Sequence, residues 1–252
     1  MKLWGIASLA AAVLVLTGCA SVQTPSPEDS TVAAKASQYA QQVQKDIADS
    51  NAAYDASRRV AVKFPATGPL KVLFIGDSLT AGYFASTQEK GYSQLVVSQL
   101  QKMGAVERLG GSKAGGNLAT VGNLVSIPEG FNLAVVELGT NDIQGKTDPA
   151  VFPGQYDALM NKVKAASPTS ALICIGTWGS AGSDTDAYDN AIQKSCEAHG
   201  GKYIDVSAEF GMAGNRGPAG VNVWAGISDN FHPNDYGHER LAALVMDHLT
   251  VS

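Results

Sequence analysis

The chain has 252 residues, 45% of them hydrophobic, with 18 Lys plus Arg against 23 Asp plus Glu. That is enough for one sizeable core, and nothing indicates a second. The balance is mildly acidic with no basic block, which argues against nucleic acid as a partner. Residues 1–18 hold one positive charge, Lys2, then an apolar run over 3–16 in which Ser8 is the only clearly polar residue. At about 1.5 Å per helical residue the run covers roughly 21 Å, short of the ~30 Å hydrocarbon core of a bilayer. It reads as an export signal rather than a permanent span.

The leader ends Leu16-Thr17-Gly18-Cys19, which resembles the bacterial lipoprotein box. The resemblance implies that Cys19 is lipidated and becomes the mature first residue, carrying the several acyl chains that stable anchoring needs. Ala20 stands where an aspartate would signal retention at the inner membrane. The expected location is therefore the cell envelope, at the outer membrane if the source has one. Residues 19–30, polar and proline-containing, read as a flexible tether.

Residues 31–62 are rich in Ala and Gln, with Val32, Ala36, Tyr39, Val43 and Ile47 at helical spacing. Such a thin apolar stripe serves equally to pack on a globular domain, to pair with another protein, or to line a spacer above the membrane. Phe64-Pro65-Ala66-Thr67-Gly68-Pro69 punctuates the segment. The boundary falls there, leaving 31–66 as a helical stalk or packing segment and 67–252 as the globular domain. From Leu70 onward strand and helix patterns alternate. Strands are expected over 70–76, 105–110, 131–138, 170–176 and 202–206, and helices over 91–103, 117–125, 152–166, 185–199 and 234–249. Five strands each followed by a helix predict a parallel sheet covered on both faces, an α/β domain of the three-layer α/β/α kind.

The first of these strands, through Val72-Leu73-Phe74-Ile75, ends in Gly76-Asp77-Ser78-Leu79. Ligands gather beyond the carboxyl ends of strands in open α/β sheets, so Ser78 stands where a nucleophile would. On position alone the ordinary reading is a turn serine capping the next helix. A serine attacks only when a base takes its proton, a third group orients that base and donors await the oxyanion. The other strand ends offer such parts. They are the glycine-rich turn Gly110-Gly111-Ser112-Lys113-Ala114-Gly115-Gly116-Asn117, the run Gly139-Thr140-Asn141-Asp142, and Asp229-Asn230-Phe231-His232-Pro233 before the last helix.

In their order, these four blocks resemble the SGNH hydrolases, or GDSL esterases and lipases, over about 180 residues from Leu70 onward. The resemblance implies Ser78 as nucleophile, His232 as base and Asp229 as the residue orienting the imidazole. It implies an oxyanion hole from the Ser78 and Gly115 N–H groups and the Asn141 amide, with Gly116 as the alternative to Gly115. The family's flavodoxin-like strand order, 2-1-3-4-5, would bring the ends carrying Gly115, Ser78 and Asn141 together at the switch point of the sheet.

Asp235-Tyr236-Gly237-His238 also satisfies Asp-x-x-His. Pro233 suits a first helical position, which leaves His232 in the loop and puts His238 on a helix face, paired with Asp235. His199 and His248 lie near helix carboxyl ends, where an imidazolium suits the dipole. Asp77 and Asp142 read as structural. The run from Gly139 to Thr147 misses the phosphate-loop spacing by one residue, and no Gly-x-Ser-x-Gly occurs. No ligand-spaced cluster implies a metal, and no cofactor is expected. In an exported protein Cys174 and Cys196 are placed either to bridge or to remain buried thiols.

These readings predict a serine ester hydrolase anchored in the envelope, with a small open site and a short acyl group such as acetate; Gly82-Tyr83-Phe84 and Trp178 either wall an apolar acyl pocket or pack in the core. The rivals are acyl transfer to a wall polysaccharide and a non-catalytic lipoprotein that binds carbohydrate or lipid.

Overall fold

A computed structural model describes residues 27–145 and 147–252. The expected signal 1–18, the lipidation site Cys19 and the tether over 19–26 lie outside the described residues. The chain divides into two compact units, Met1–Ala52 and Ala53–Ser252.

The first unit is helical over its described part. Helix α1 (Pro27–Arg58) begins inside the stretch read as tether, with Pro27 as its first residue. Proline is preorganised for that position, where no intrahelical partner for an N–H exists. Val32, Tyr39 and Ile47 of the apolar stripe are exposed. Lys45 pairs with Asp49 one turn on at 2.7 Å, an exposed contact of small weight.

The second unit takes in the end of α1, which stops at Arg58 instead of running to 62. Arg58 is ion-paired with Asp55 and Asp247. Strand β1 (Val60–Val62) then pairs in parallel with the last strand of the chain, Leu249–Val251. Val60 and Val62 are buried and Ala61 is exposed, the period of two that makes a half-buried strand. Phe64 also packs against the core. The compact unit therefore starts at Ala53, well before the Pro/Gly stretch at 64–69 where the sequence placed the boundary.

The remaining elements are β2 (Leu70–Gly76), α2 (Ser78–Ala81), α3 (Tyr92–Gln101), β3 (Val106–Ser112), α4 (Leu118–Leu124), β4 (Leu133–Glu137), α5 (Thr140–Gln144), α6 (Phe152–Ala166), β5 (Ala171–Ile175), α7 (Ser183–Ala198), β6 (Lys202–Ile204), α8 (Ser207–Gly211), β7 (Asn222–Val223), β8 (Gly226–Ile227), α9 (Asp235–Asp247) and β9 (Leu249–Val251). The central sheet has the order β3-β2-β4-β5-β6, every neighbour parallel. It is the α/β architecture that the sequence predicts, in the strand order that the family resemblance implies.

Leu70, Val72 and Phe74 of β2 face α3 and α9, while Leu73 and Ile75 face α4, α6 and α7. Both faces are covered, so the strand shows no polar alternation. Cys174 of β5 and Cys196 of α7 form a disulfide with Cα atoms 6.1 Å apart. No described helix is long and apolar enough to cross a membrane.

Candidate active site

Strand β2 ends at Gly76, where a Cβ would overlap the Thr80 side chain and lie 2.8 Å from the Glu137 carbonyl. A glycine there lets the chain turn at once into α2. Asp77 caps that helix by accepting the Leu79 N–H at 3.0 Å, and Ser78 is its first residue. The serine therefore projects from the carboxyl edge of the sheet.

His232 comes from the loop before α9. Helix α9 starts at Asp235 with Asn234 as its cap, two residues later than Pro233 as first helical residue would have it. His232 still precedes the helix. Its Nε2 lies 2.9 Å from Ser78 Oγ and its Nδ1 2.8 Å from Asp229 Oδ2. Asp229 Oδ1 accepts the Phe231 and His232 backbone N–H groups at 2.9 and 2.8 Å. The same carboxylate thus shapes the loop and orients the ring. Its burial works to raise the Asp229 carboxyl, but the His232 and Phe231 donors outweigh that and hold it below its usual range. Phe84 and Phe231 meet the imidazole edge-on at 4.9 and 5.4 Å.

Asn141, in the first turn of α5, sends its Nδ2 to Asp77 Oδ2 at 2.7 Å and to the Gly116 carbonyl at 3.2 Å. Gly115 has φ +68° and lines the same cleft as Ser78 and Asn141. The Gly116 N–H is engaged instead by the Lys113 carbonyl at 2.9 Å. The cleft has a volume of about 560 Å³, with Tyr83, Phe84 and Phe231 as its aromatic lining and Gln144 among its polar residues. Among the described residues, no group of His, Cys, Asp or Glu is gathered to hold a metal ion.

The sequence of residues 74–240 matches the profile of the GDSL-like lipase/acylhydrolase family. The chain belongs to that family. It is an ester hydrolase by membership. No curated protein matches the sequence. Among solved structures, esterase EstA from Pseudoalteromonas sp. superposes with a TM-score of 0.56 at 15% identity, over 71% of this chain and 96% of that one. Phospholipase A1 from Streptomyces albidoflavus NA297 gives 0.56 at 17% identity, over 72% and 100%. A family two carbohydrate esterase from Clostridium thermocellum gives 0.51 at 15% identity, over 71% and 63%. At these identities the likeness is one of fold.

For this GDSL-like lipase/acylhydrolase family member, several surrounding residues differ from the sequence reading. His238 is fully buried and does not pair with Asp235. Its Nε2 lies 2.8 Å from the Tyr83 carbonyl and its Nδ1 accepts the Tyr92 N–H at 3.3 Å. Burial pushes it down to about 4, so the ring is neutral. Asp235 instead accepts from Ser86 N, Ser86 Oγ and Lys90 Nζ at 2.6, 2.8 and 2.6 Å. Together they strap the loop bearing Tyr83 and Phe84 to α9. Trp178 is no pocket wall. It is buried and donates its indole N–H to the Phe231 carbonyl at 2.7 Å, holding the backbone of the loop that carries His232. Trp224, which the sequence did not single out, packs edge-on against Tyr83 at 5.7 Å.

Asp142 ties the start of α4 by accepting the Leu118 N–H at 2.9 Å, the structural role expected of it. Glu137 escaped the sequence reading altogether. It ends the apolar strand β4, fully buried beside Asp77, and a carboxylate in such a run is the signal that marks it.

Proposed function

We propose that Ser78, His232 and Asp229 are the catalytic triad of a serine ester hydrolase that works through an acyl-enzyme. The reading is carried by the unbroken hydrogen-bond chain Ser78 Oγ, His232 Nε2, His232 Nδ1, Asp229 Oδ2 at the base of an open cleft. With Asp229 holding the Nδ1 proton, Nε2 is free to accept the serine proton as Oγ bonds to the ester carbonyl. The carbonyl becomes an oxyanion. The Ser78 and Gly115 N–H groups and the Asn141 amide receive it, and the Asn141 N–H now in the longer contact with Gly116 is the one that turns towards it. Collapse expels the alcohol, which takes its proton from His232. Water, deprotonated by the same ring, then releases the acid.

The substrate is an ester with a short acyl group, such as an acetylated envelope glycan or a small lipid ester. The supporting observation is the short aromatic wall of Tyr83, Phe84 and Phe231 in an otherwise open cleft. The setting is the cell envelope, with Cys19 as lipid anchor, a proposal that stands on the Leu16–Cys19 box alone. The test is a soluble form beginning at Val22, assayed on p-nitrophenyl esters of increasing chain length beside Ser78→Ala. Serine-dependent turnover with an optimum at short chains is expected. A folded protein with no turnover, or turnover that survives Ser78→Ala, overturns the reading. Acyl transfer to an added sugar acceptor in preference to water would replace hydrolysis with transfer.

A further inference from the structure

Nothing in the mechanism above uses Glu137, yet it is one of two carboxyls buried side by side behind Ser78. Its Oε2 accepts the Thr80 hydroxyl at 3.0 Å and lies 3.4 Å from the Asp77 N–H. Its Oε1 has no partner. The adjoining Asp77 carboxyl is close enough to interact with it directly, and it accepts Leu79 N–H and Asn141 Nδ2 at 3.0 and 2.7 Å. Both side chains are fully buried. Two carboxylates in contact away from water cannot both be charged, so the pair keeps a proton.

Which of the two holds it decides what Asp77 offers Asn141, whose nitrogen the Gly116 carbonyl also holds. An ionised carboxylate only accepts, so it selects the nitrogen end of the amide. A protonated Asp77 has a hydroxyl to donate and would favour the oxygen end. An Asn141 turned that way would present a carbonyl where an oxyanion needs a donor.

We propose that Glu137 is a positioning residue that acts as a neutral acid. It keeps the shared proton and donates it in a hydrogen bond to Asp77. Asp77 alone then carries the buried charge, and that charge fixes the Asn141 amide with its nitrogen towards the oxyanion. The proposal rests on the assignment of Ser78 and Asn141 made above. Its surroundings fit this role. The Thr80 hydroxyl that serves Glu137 is also bonded to Tyr92 Oη at 2.8 Å. Tyr92 from α3 and Tyr156 from α6 are the other titratable groups facing the pair, and burial raises both so that they stay neutral. Arg108 of β3 acts only at a remove, through Tyr92, and His232 faces Asp77 from the loop. Burial first, and then the neighbouring Asp77, hold Glu137 well above the usual carboxylate range.

The test has a spectroscopic arm and a kinetic one. An infrared difference spectrum of wild type minus Glu137→Gln at neutral pH should show the carbonyl band of a protonated carboxylic acid. Glu137→Ala should lower kcat by ~10- to 100-fold through a misplaced Asn141 amide while KM moves within about twofold. Glu137→Gln, whose amide can still donate to Asp77, should recover most of that kcat. Absence of the band, wild-type kcat in folded Glu137→Ala, or a Gln variant as slow as the Ala variant each overturns the proposal. If Glu137→Ala does not fold, the band and the Gln variant still decide. Ser78→Ala run alongside separates the two claims, because turnover surviving there removes the assignment of Ser78 and leaves the infrared result to judge the shared proton.

Discussion

At Ser78 one residue meets two demands, since its backbone starts a helix while its hydroxyl faces His232. Removing that hydroxyl in Ser78→Ala should abolish turnover and leave the melting temperature near wild type. Asn141→Ala should lower kcat by ~10²- to 10³-fold, the usual weight of one oxyanion donor, which steady-state kinetics would read. Asp229→Ala should cost less than His232→Ala, because Asp229 acts only through the ring. These residues were legible because a motif carries each with its neighbours. His238 and Glu137 were not, since their roles arise from burial. For His238 a clue was present, because 238, 241, 242 and 245 form the apolar face of α9, and Leu241, Ala242 and Val245 are its core residues. Reading the residue as half of a local pair with Asp235 obscured it. Its neutral ring makes a further prediction. The folded value is about 4 against an ordinary 6.5, so the unfolded chain binds the proton more readily between them. That contribution to stability, about 3 kcal/mol in scale, is present above pH 6.5 and is lost as pH falls through about 4. Denaturant melts across this range should show a shallower acid loss in His238→Gln than in wild type.

Among the elements, the five sheet strands and five covering helices form within a few residues of their expected places. Long apolar runs and helical periods mark them well. The elements missed are short. β1 and β9 have three residues each, and only their partner across the whole length of the unit makes them strands. Helices α2 and α5 are single turns that begin at the site, and the turns Gly76-Asp77-Ser78 and Gly139-Thr140-Asn141 concealed them. The disulfide belongs at this scale too, because it staples β5 to α7 across 22 residues of chain. Replacing Cys174 and Cys196 by serine should destabilise the unit by about 3 kcal/mol, the loop-closure value for such a span. Calorimetry would measure it. Turnover of the folded fraction should be unchanged, since neither cysteine lines the cleft.

For the whole molecule, the compact unit begins at Ala53 although the composition changes at 64–69. Composition marks where a chain turns, and it does not reveal that Val60 and Val62 are already core. A chain starting at Ala53 should fold and hydrolyse esters like the longer form. One starting at Pro65 should melt at a clearly lower temperature, having lost two buried valines and the partner of β9. Equal melting temperatures would show that β1 contributes nothing. The two carboxyls at the site act on stability in the opposite sense to His238. Both are raised by burial, Asp77 to about 6, so the folded chain binds protons more readily and loses that stabilisation as pH rises through the raised values.

The pairing of β1 with β9 brings the first and last strands of this unit together, with Phe64 N–H donating to the carbonyl of Ser252. Both strands run the same way, so a bridge from Ser252 back to Val60 has to retrace only three residues, roughly 10 Å at 3.3 Å each. The stretch from Val60 to Ser252 is close to a circle with its seam at that clasp. A short glycine-serine bridge across the seam, with new ends cut in the exposed turn at 180–182, should give a permuted enzyme with the same sheet order and an unaltered cleft.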